Sequence, residues 1–136
     1  MSQVFVSGHK SPDTDSIAAA LSYSYLKRRL GMDAVAVRAG EINKESRFAL
    51  DYFNLEEPIL VTSVERKNPE DEKQKVILVD HNESKQTIDG MDDAEVLEII
   101  DHHRFGDFES ENPIFILVRP VGCVNTVIYG LYKTNH

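Results

Sequence analysis

Three short, almost wholly apolar runs constrain this chain most: Val4-Phe5-Val6, Val76-Ile77-Leu78-Val79 and Val96-Leu97-Glu98-Ile99-Ile100. Runs that are apolar at nearly every position, rather than every second one, belong to strands buried on both faces, and such strands build parallel sheets. Parallel neighbours need a crossover between them. The sequence after Val6 supplies one. Ile17, Ala18, Leu21, Tyr25 and Leu26 recur at helical spacing, Lys27, Arg28 and Arg29 occupy the last turns, and Gly31 is the stop. Ala34 to Arg38 read as the next strand, ended by Ala39-Gly40. A strand, a helix and a strand over this length form a βαβ unit with a right-handed crossover.

The rest of the chain continues the alternation. Lys44 to Phe53 predict a shorter helix whose Phe48, Tyr52 and Phe53 are expected in the core. Pro58 to Val61 read as a short strand, and the charged stretch Glu65 to Lys75 as an exposed loop. Gln86 to Glu95 are polar and predict a helical turn. Ile114 to Val118 form another apolar strand, and Pro120-Val121-Gly122 lead into a helix carrying Val124, Val127, Ile128, Leu131 and Tyr132. The expected fold is one α/β domain with a parallel or mixed sheet of about five or six strands flanked by helices. No internal repeat or low-complexity segment interrupts it.

Composition narrows the function. A formal net charge of −8 over 136 residues argues against a nonspecific binder of nucleic acid or membrane surface. It leaves room for a phosphate-bearing substrate, because a bound metal inverts the local sign. Cys123 is the one cysteine, which excludes an intrachain disulfide and a zinc-finger spacing. Met1-Ser2-Gln3-Val4 run almost directly into the first strand, without a basic segment followed by an apolar one. Nor does any apolar run approach the ~18 residues of a membrane helix. A soluble, cytoplasmic protein is expected.

The chemistry gathers where strands end. The first run leads into Ser7-Gly8-His9-Lys10-Ser11-Pro12-Asp13-Thr14-Asp15-Ser16, the second into Asp80-His81-Asn82-Glu83, and the third into Asp101-His102-His103-Arg104. In a parallel sheet these ends share one edge, where α/β proteins place their sites. Taken singly, each has an ordinary explanation: Asp13 or Asp15 as a helix cap, Asp80 as a turn residue, His102-His103 as partly exposed structural residues. Taken together, they bring imidazoles and carboxylates into one place. That mixture suits divalent ions of intermediate hardness, such as manganese. The number of ligands points to two ions, which by sharing a carboxylate can stabilise both ends of a displacement at phosphorus.

These segments, with Pro120-Val121-Gly122-Cys123, resemble the DHH phosphoesterase superfamily, whose motif stands here as Asp101-His102-His103. Within it the chain is similar to the manganese-dependent family II inorganic pyrophosphatases. Relatives acting on nucleotides or polyphosphate typically have glycine where Thr14 stands and lack the Asp80-His81-Asn82-Glu83 block. The resemblance implies a Rossmann-like domain and hydrolysis of pyrophosphate to two phosphates with two manganese ions, cobalt or magnesium being alternatives. By position it implies that His9 and Asp13 hold one ion, that Asp15 and His102 hold the other, and that Asp80 bridges them. His103 would contact the substrate phosphate. Asp101 would orient a ligand imidazole, with His81 and Asn82 in similar supporting roles. Arg104 would either face phosphate or cap its loop.

In the family a further strand supplies another Asp ligand, and a C-terminal domain supplies Lys and Arg residues that clamp pyrophosphate. The resemblance stops at Lys133-Thr134-Asn135-His136, before either. Residues 1–136 are therefore expected to be the N-terminal, catalytic part of a longer protein, with the substrate-clamping domain absent and little activity alone. The apolar run Ile114 to Val118 is an expected homodimer edge. The rival functions are a phosphodiesterase or exopolyphosphatase of the same superfamily, and a non-catalytic metal- or nucleotide-binding module.

Overall fold

All six strands of the sheet run parallel, in the order β3-β2-β1-β4-β5-β6. The computed structural model describes residues 3–135. Met1, Ser2 and His136, included in the expectations about the chain's two ends, lie outside them. The strands are β1 (Val4–Ser7), β2 (Ala34–Arg38), β3 (Ile59–Leu60), β4 (Lys75–Val79), β5 (Glu95–Asp101) and β6 (Phe115–Val118). The helices are α1 (Thr14–Arg29), α2 (Lys44–Tyr52) and α3 (Val124–Thr134). Between β4 and β5 the chain makes two 3₁₀ turns, Ser84–Gln86 and Met91–Asp93, in place of a full helix.

β4 explains why the apolar runs are continuous. Ile77 and Val79 join one buried cluster, with Val6, Ile100, the α1 residues Ala19, Ala20 and Tyr23, and the α3 residues Val124, Val127 and Ile128. Val76 and Leu78 join the other, with Val37, Val64, Ile88 and Ile99. Both faces of the strand are covered, so neither set of alternating positions can be polar. Helices cover the first face. Loop residues such as Val64, Ile88 and Phe108 cover the second.

Glu98 is the one charge inside these runs, and the fold accommodates it. The pairing of β4 with β5 slips by one residue, from Val76 opposite Val96 to Ile77 opposite Glu98. Such a bulge re-aims the strand. The Glu98 carboxylate accepts the Tyr23 hydroxyl and pairs with Lys27 Nζ at 2.8 Å, tying β5 to α1.

α1 begins at Asp13, whose side chain accepts the Ser16 N–H, and its chain turns away at Gly31, where φ is +99°. α2 departs from expectation. Phe48, Tyr52 and Phe53 are exposed, at 69%, 72% and 66%; Phe48 stacks on Tyr52, which meets Phe53 edge-on. The helix buries Ser46 and Leu50 instead. On its inward side Ser46 meets Thr14, the first residue of α1, and the aromatic stripe faces out. β6 is the edge expected of it, with Phe115, Ile116 and Val118 exposed. Among the described residues no helix is long and apolar enough to cross a membrane.

Candidate metal centre

The strand order places the site. β1 sends its chain towards β2 on one side of the sheet's midline, and β4 sends its chain towards β5 on the other. Between β1 and β4 the connections diverge and leave a crevice outside the carboxyl ends of the strands. His9 stands two residues past β1, Asp80 directly follows β4, Asp101 ends β5, and His102 and His103 come next.

Asp80 is the centre of this arrangement. It is 1% exposed and has φ of +63°, left-handed backbone that Asp tolerates better than most residues. Strained conformations of this kind persist where surrounding structure over-determines them. Here the Asp80 N–H donates to Ile100 O at 3.0 Å, which turns the side chain into the crevice. Its two oxygens serve different partners. Oδ2 lies 3.3 Å from His9 Nε2 and accepts the Ser16 hydroxyl at 2.9 Å. Oδ1 lies 2.9 Å from His102 Nε2 and 3.9 Å from His103 Nδ1.

Two groups of ligand-type atoms result, each within 4.8 Å: His9, Asp13 and Asp80, and Asp80, Asp101, His102 and His103. Asp80 belongs to both. Asp13 Oδ1 is 3.7 Å from His9 Nε2. Asp15 stands beside the second group, with Oδ2 3.5 Å from His102 Nε2. Its carboxylate also accepts from the first turn of α3: Val124 N at 2.9 Å, Asn125 N at 3.3 Å and Asn125 Nδ2 at 2.6 Å.

Asp101 is fully buried and supports the imidazoles. Oδ1 accepts the His102 N–H at 2.7 Å and His103 Nδ1 at 2.8 Å, and Oδ2 accepts Asn82 Nδ2 at 2.7 Å. Asn82 also takes the Gly106 N–H at 2.7 Å and donates to Arg104 O at 3.1 Å, so it fixes the loop after β5. The Arg104 side chain is largely exposed and reaches Glu83 at 3.8 Å. His81 is fully buried, and its Nδ1 donates to Val79 O at 2.9 Å. Burial holds its pKa down at about 4, so the ring is neutral.

The electrostatics are those of a site built for cations. Hydrogen bonding to Asp80 raises the pKa of His9 despite its burial. Burial pushes the Asp80 carboxyl up, but hydrogen bonds from His9 and Ser16 and the nearby imidazoles outweigh it, and the net shift is downward. Burial lowers His102, while its bonds to Val121 O and Asp80 more than reverse that. Asp13, Asp15, Asp80 and Asp101 converge, and among the described residues no Lys or Arg makes an ion pair with any of them. Of the four, Asp80 and Asp101 are buried, and with only imidazoles as ionisable partners they favour a further source of positive charge. The imidazole and carboxylate donors fit an ion of intermediate hardness, and two groups sharing one carboxylate fit a pair.

Close packing holds the ligand loop. A Cβ on Gly8 would fall 2.7 Å from Ser16 Cβ, and one on Gly40 would fall 2.3 Å from Lys10 O. Lys10 N donates to Gln86 O at 2.7 Å. Gly40 and Asn125 were not among the residues expected at the site, and Ser16 stood in the first segment without an assigned role.

Fold and site together define an α/β domain with imidazoles and carboxylates placed to hold a metal ion. The chain belongs to the DHH family: the model of that family's N-terminal domain matches residues 3–136. It is 50% identical over 133 residues to an Exiguobacterium sp. protein named "Probable manganese-dependent inorganic pyrophosphatase", covering 98% of this chain and 41% of the relative. It is also 50% identical over 135 residues to a protein of the same name from Bacillus licheniformis, covering 99% and 42%. The chain thus spans about two fifths of the length of these relatives. A Methanococcus jannaschii crystal structure described as a "putative family II inorganic pyrophosphatase" superposes with a TM-score of 0.84 at 38% identity, covering 98% of this chain and 40% of that one. An exopolyphosphatase-related protein from Bacteroides fragilis shares the fold, with a TM-score of 0.65 at 19% identity.

Proposed function

We propose that this chain is the metal-holding part of a manganese-dependent inorganic pyrophosphatase, which hydrolyses pyrophosphate to two phosphates. The observation that carries the reading is Asp80, one buried carboxylate whose two oxygens face His9 on one side and His102 on the other. The relatives' names and the shared fold support it. His9 and Asp13 would hold one manganese, Asp15 and His102 the other, with Asp80 common to both. When bound, the two ions would supply positive charge to the reacting phosphoryl group and activate the attacking water.

The protein's own groups supply orientation. Asp101 engages His103 at Nδ1 and leaves Nε2 of that exposed ring for a phosphate oxygen. Asn82 holds Asp101 and the loop behind it. The residues through which the relatives exceed this chain would complete the ligand set and clamp the far phosphate with Lys and Arg. We place the enzyme in the cytoplasm and expect it to pair as a homodimer through the Ile114 to Val118 edge.

A phosphate-release assay tests the reading, with manganese, on the 136-residue chain and on a protein of the relatives' full length. The longer protein should turn over pyrophosphate and leave a short oligonucleotide intact. The 136-residue chain should sit near background, because losing one preorganised donor alone costs ~10²–10³ in rate. Oligonucleotide cleavage, or manganese binding without any turnover by the longer protein, would overturn the reading.

A further inference from the structure

Asp13, Thr14 and Asp15 are consecutive, and each is held by the first turn of a different helix. Asp13 caps α1, accepting the Ser16 N–H at 2.9 Å. Asp15 accepts three donors from the start of α3. Thr14 is held by α2. Its Oγ1 donates to Glu45 Oε1 and lies 3.1 Å from Ser46 Oγ. A carboxylate only accepts, so the one proton of Thr14 goes to Glu45, and Ser46 must donate to Thr14. Ser46 is 1% exposed, and its own N–H is bound at 2.8 Å by Asn43 Oδ1, the cap of α2.

We propose that Thr14 is a positioning residue for both metal-holding carboxylates, with Glu45 and Ser46 as its anchor. The proposal rests on the reading of Asp13 and Asp15 as ligands. Thr14 belongs to neither ligand group. Its Cα lies one residue, about 3.8 Å, from that of each neighbour. Asp13 faces His9 at 3.7 Å, and Asp15 faces His102 at 3.5 Å. If the first turn of α1 swung towards one imidazole, it would carry the other carboxylate off its own. The cap of Asp13 moves with α1; α3 holds Asp15 through its carboxylate and through its backbone carbonyl, which accepts Asn125 Nδ2 at 3.0 Å, the Ser16 hydroxyl ties the same turn to Asp80, and Thr14 supplies its hydrogen bonds to α2. The bond from Thr14 to α2 fixes the turn between them. Residues that orient metal ligands typically change affinity ~10–100-fold when removed.

The test is manganese binding by the protein, followed by calorimetry and by the electron paramagnetic resonance signal of a coupled manganese pair. Thr14→Val keeps the shape and removes the hydroxyl. It should weaken binding about tenfold or more and diminish the paired signal. Thr14→Ser should restore both, which a residue that merely stabilises the fold would not require. Glu45→Ala, at an exposed position, should weaken binding in parallel, and its effect should not add to that of Thr14→Val. Wild-type affinity in Thr14→Val, or equal weakness in Thr14→Ser, would overturn the positioning role. If Thr14→Val fails to fold, unchanged affinity in Glu45→Ala would overturn it instead. A wild-type protein that binds no manganese would refute the metal centre itself, and the positioning role with it.

Discussion

Asp101 and His103 are joined by a 2.8 Å contact between a fully buried carboxylate oxygen and an exposed imidazole's Nδ1. The second Asp101 oxygen is already taken by Asn82 Nδ2 at 2.7 Å. Asp101→Asn therefore puts an amide N–H against a donor, whichever way the new side chain turns. We expect a loss of about 1–3 kcal/mol in urea unfolding, the cost of leaving buried polar groups unpaired. Turnover of pyrophosphate by the longer protein should also fall ~10–100-fold, because His103 loses its fixed orientation. Wild-type stability in this variant would mean that the Asn82–Asp101 bond is not formed in solution.

Asp80→Asn separates ligand chemistry from folding. Asn is among the few residues that tolerate the +63° backbone, so the turn after β4 should survive. The change removes the charge shared by the two ligand groups. Manganese affinity measured by calorimetry should fall at least tenfold, with little change in the thermal unfolding of the metal-free protein. Unchanged affinity would sink the bridging assignment.

Gly40 is expected to matter although it brings no side chain to the site. A Cβ there would sit 2.3 Å from Lys10 O, so Gly40→Ala must move the loop that carries His9 and Asp13. Overpacking of this kind destabilises by about 1–3 kcal/mol. Manganese binding should weaken as well. A variant with native stability and affinity would show that the loop yields freely.

The sheet was legible because its strands are buried on both sides and cannot hide a polar alternation. The convergence of imidazoles and carboxylates was legible because a parallel sheet delivers all its strand ends to one edge. What supports them was legible only in part: the resemblance gave Asp101 and Asn82 supporting roles, but Ser16, Glu45 and Asn125 meet their partners across 64, 31 and 110 residues, and no local pattern announces such pairs. α2 was misread for a related reason. Phe48 and Tyr52 stand one helical turn apart, as a core stripe would, yet the helix turns Ser46 towards Thr14 and Leu50 inward. A polar contact decided which face was buried.

Tyr23 gives a pH dependence. Burial raises its pKa well above the usual tyrosine value, and its bond to the Glu98 carboxylate raises it further. In the unfolded chain the phenol ionises near pH 10. Above that pH the unfolded state holds fewer protons than the native state, so stability falls as pH rises. Denaturant titrations on either side of about pH 10 should show this fall. In Tyr23→Phe the slope should be shallower. An equal slope in both proteins would mean that Tyr23 ionises freely when folded.

The pairing of β1 with β4 also sets an order of events during synthesis. Val4 to Ser7 hydrogen-bond on one side to Ala34 to Val37, and on the other to Lys75 to Leu78. At about 5–20 residues per second, the second partner emerges roughly 4–14 s after β1 itself. Until then β1, one of the two central strands of the finished sheet, is an open edge on a three-stranded half, with its apolar residues awaiting a neighbour. His9 and Asp13 are translated early, but Asp80 and His102 reach them only when that edge closes. A ribosome stalled within the charged loop before β4 would therefore hold a nascent chain without a metal centre, and with its most adhesive edge still available to chaperones or to other chains.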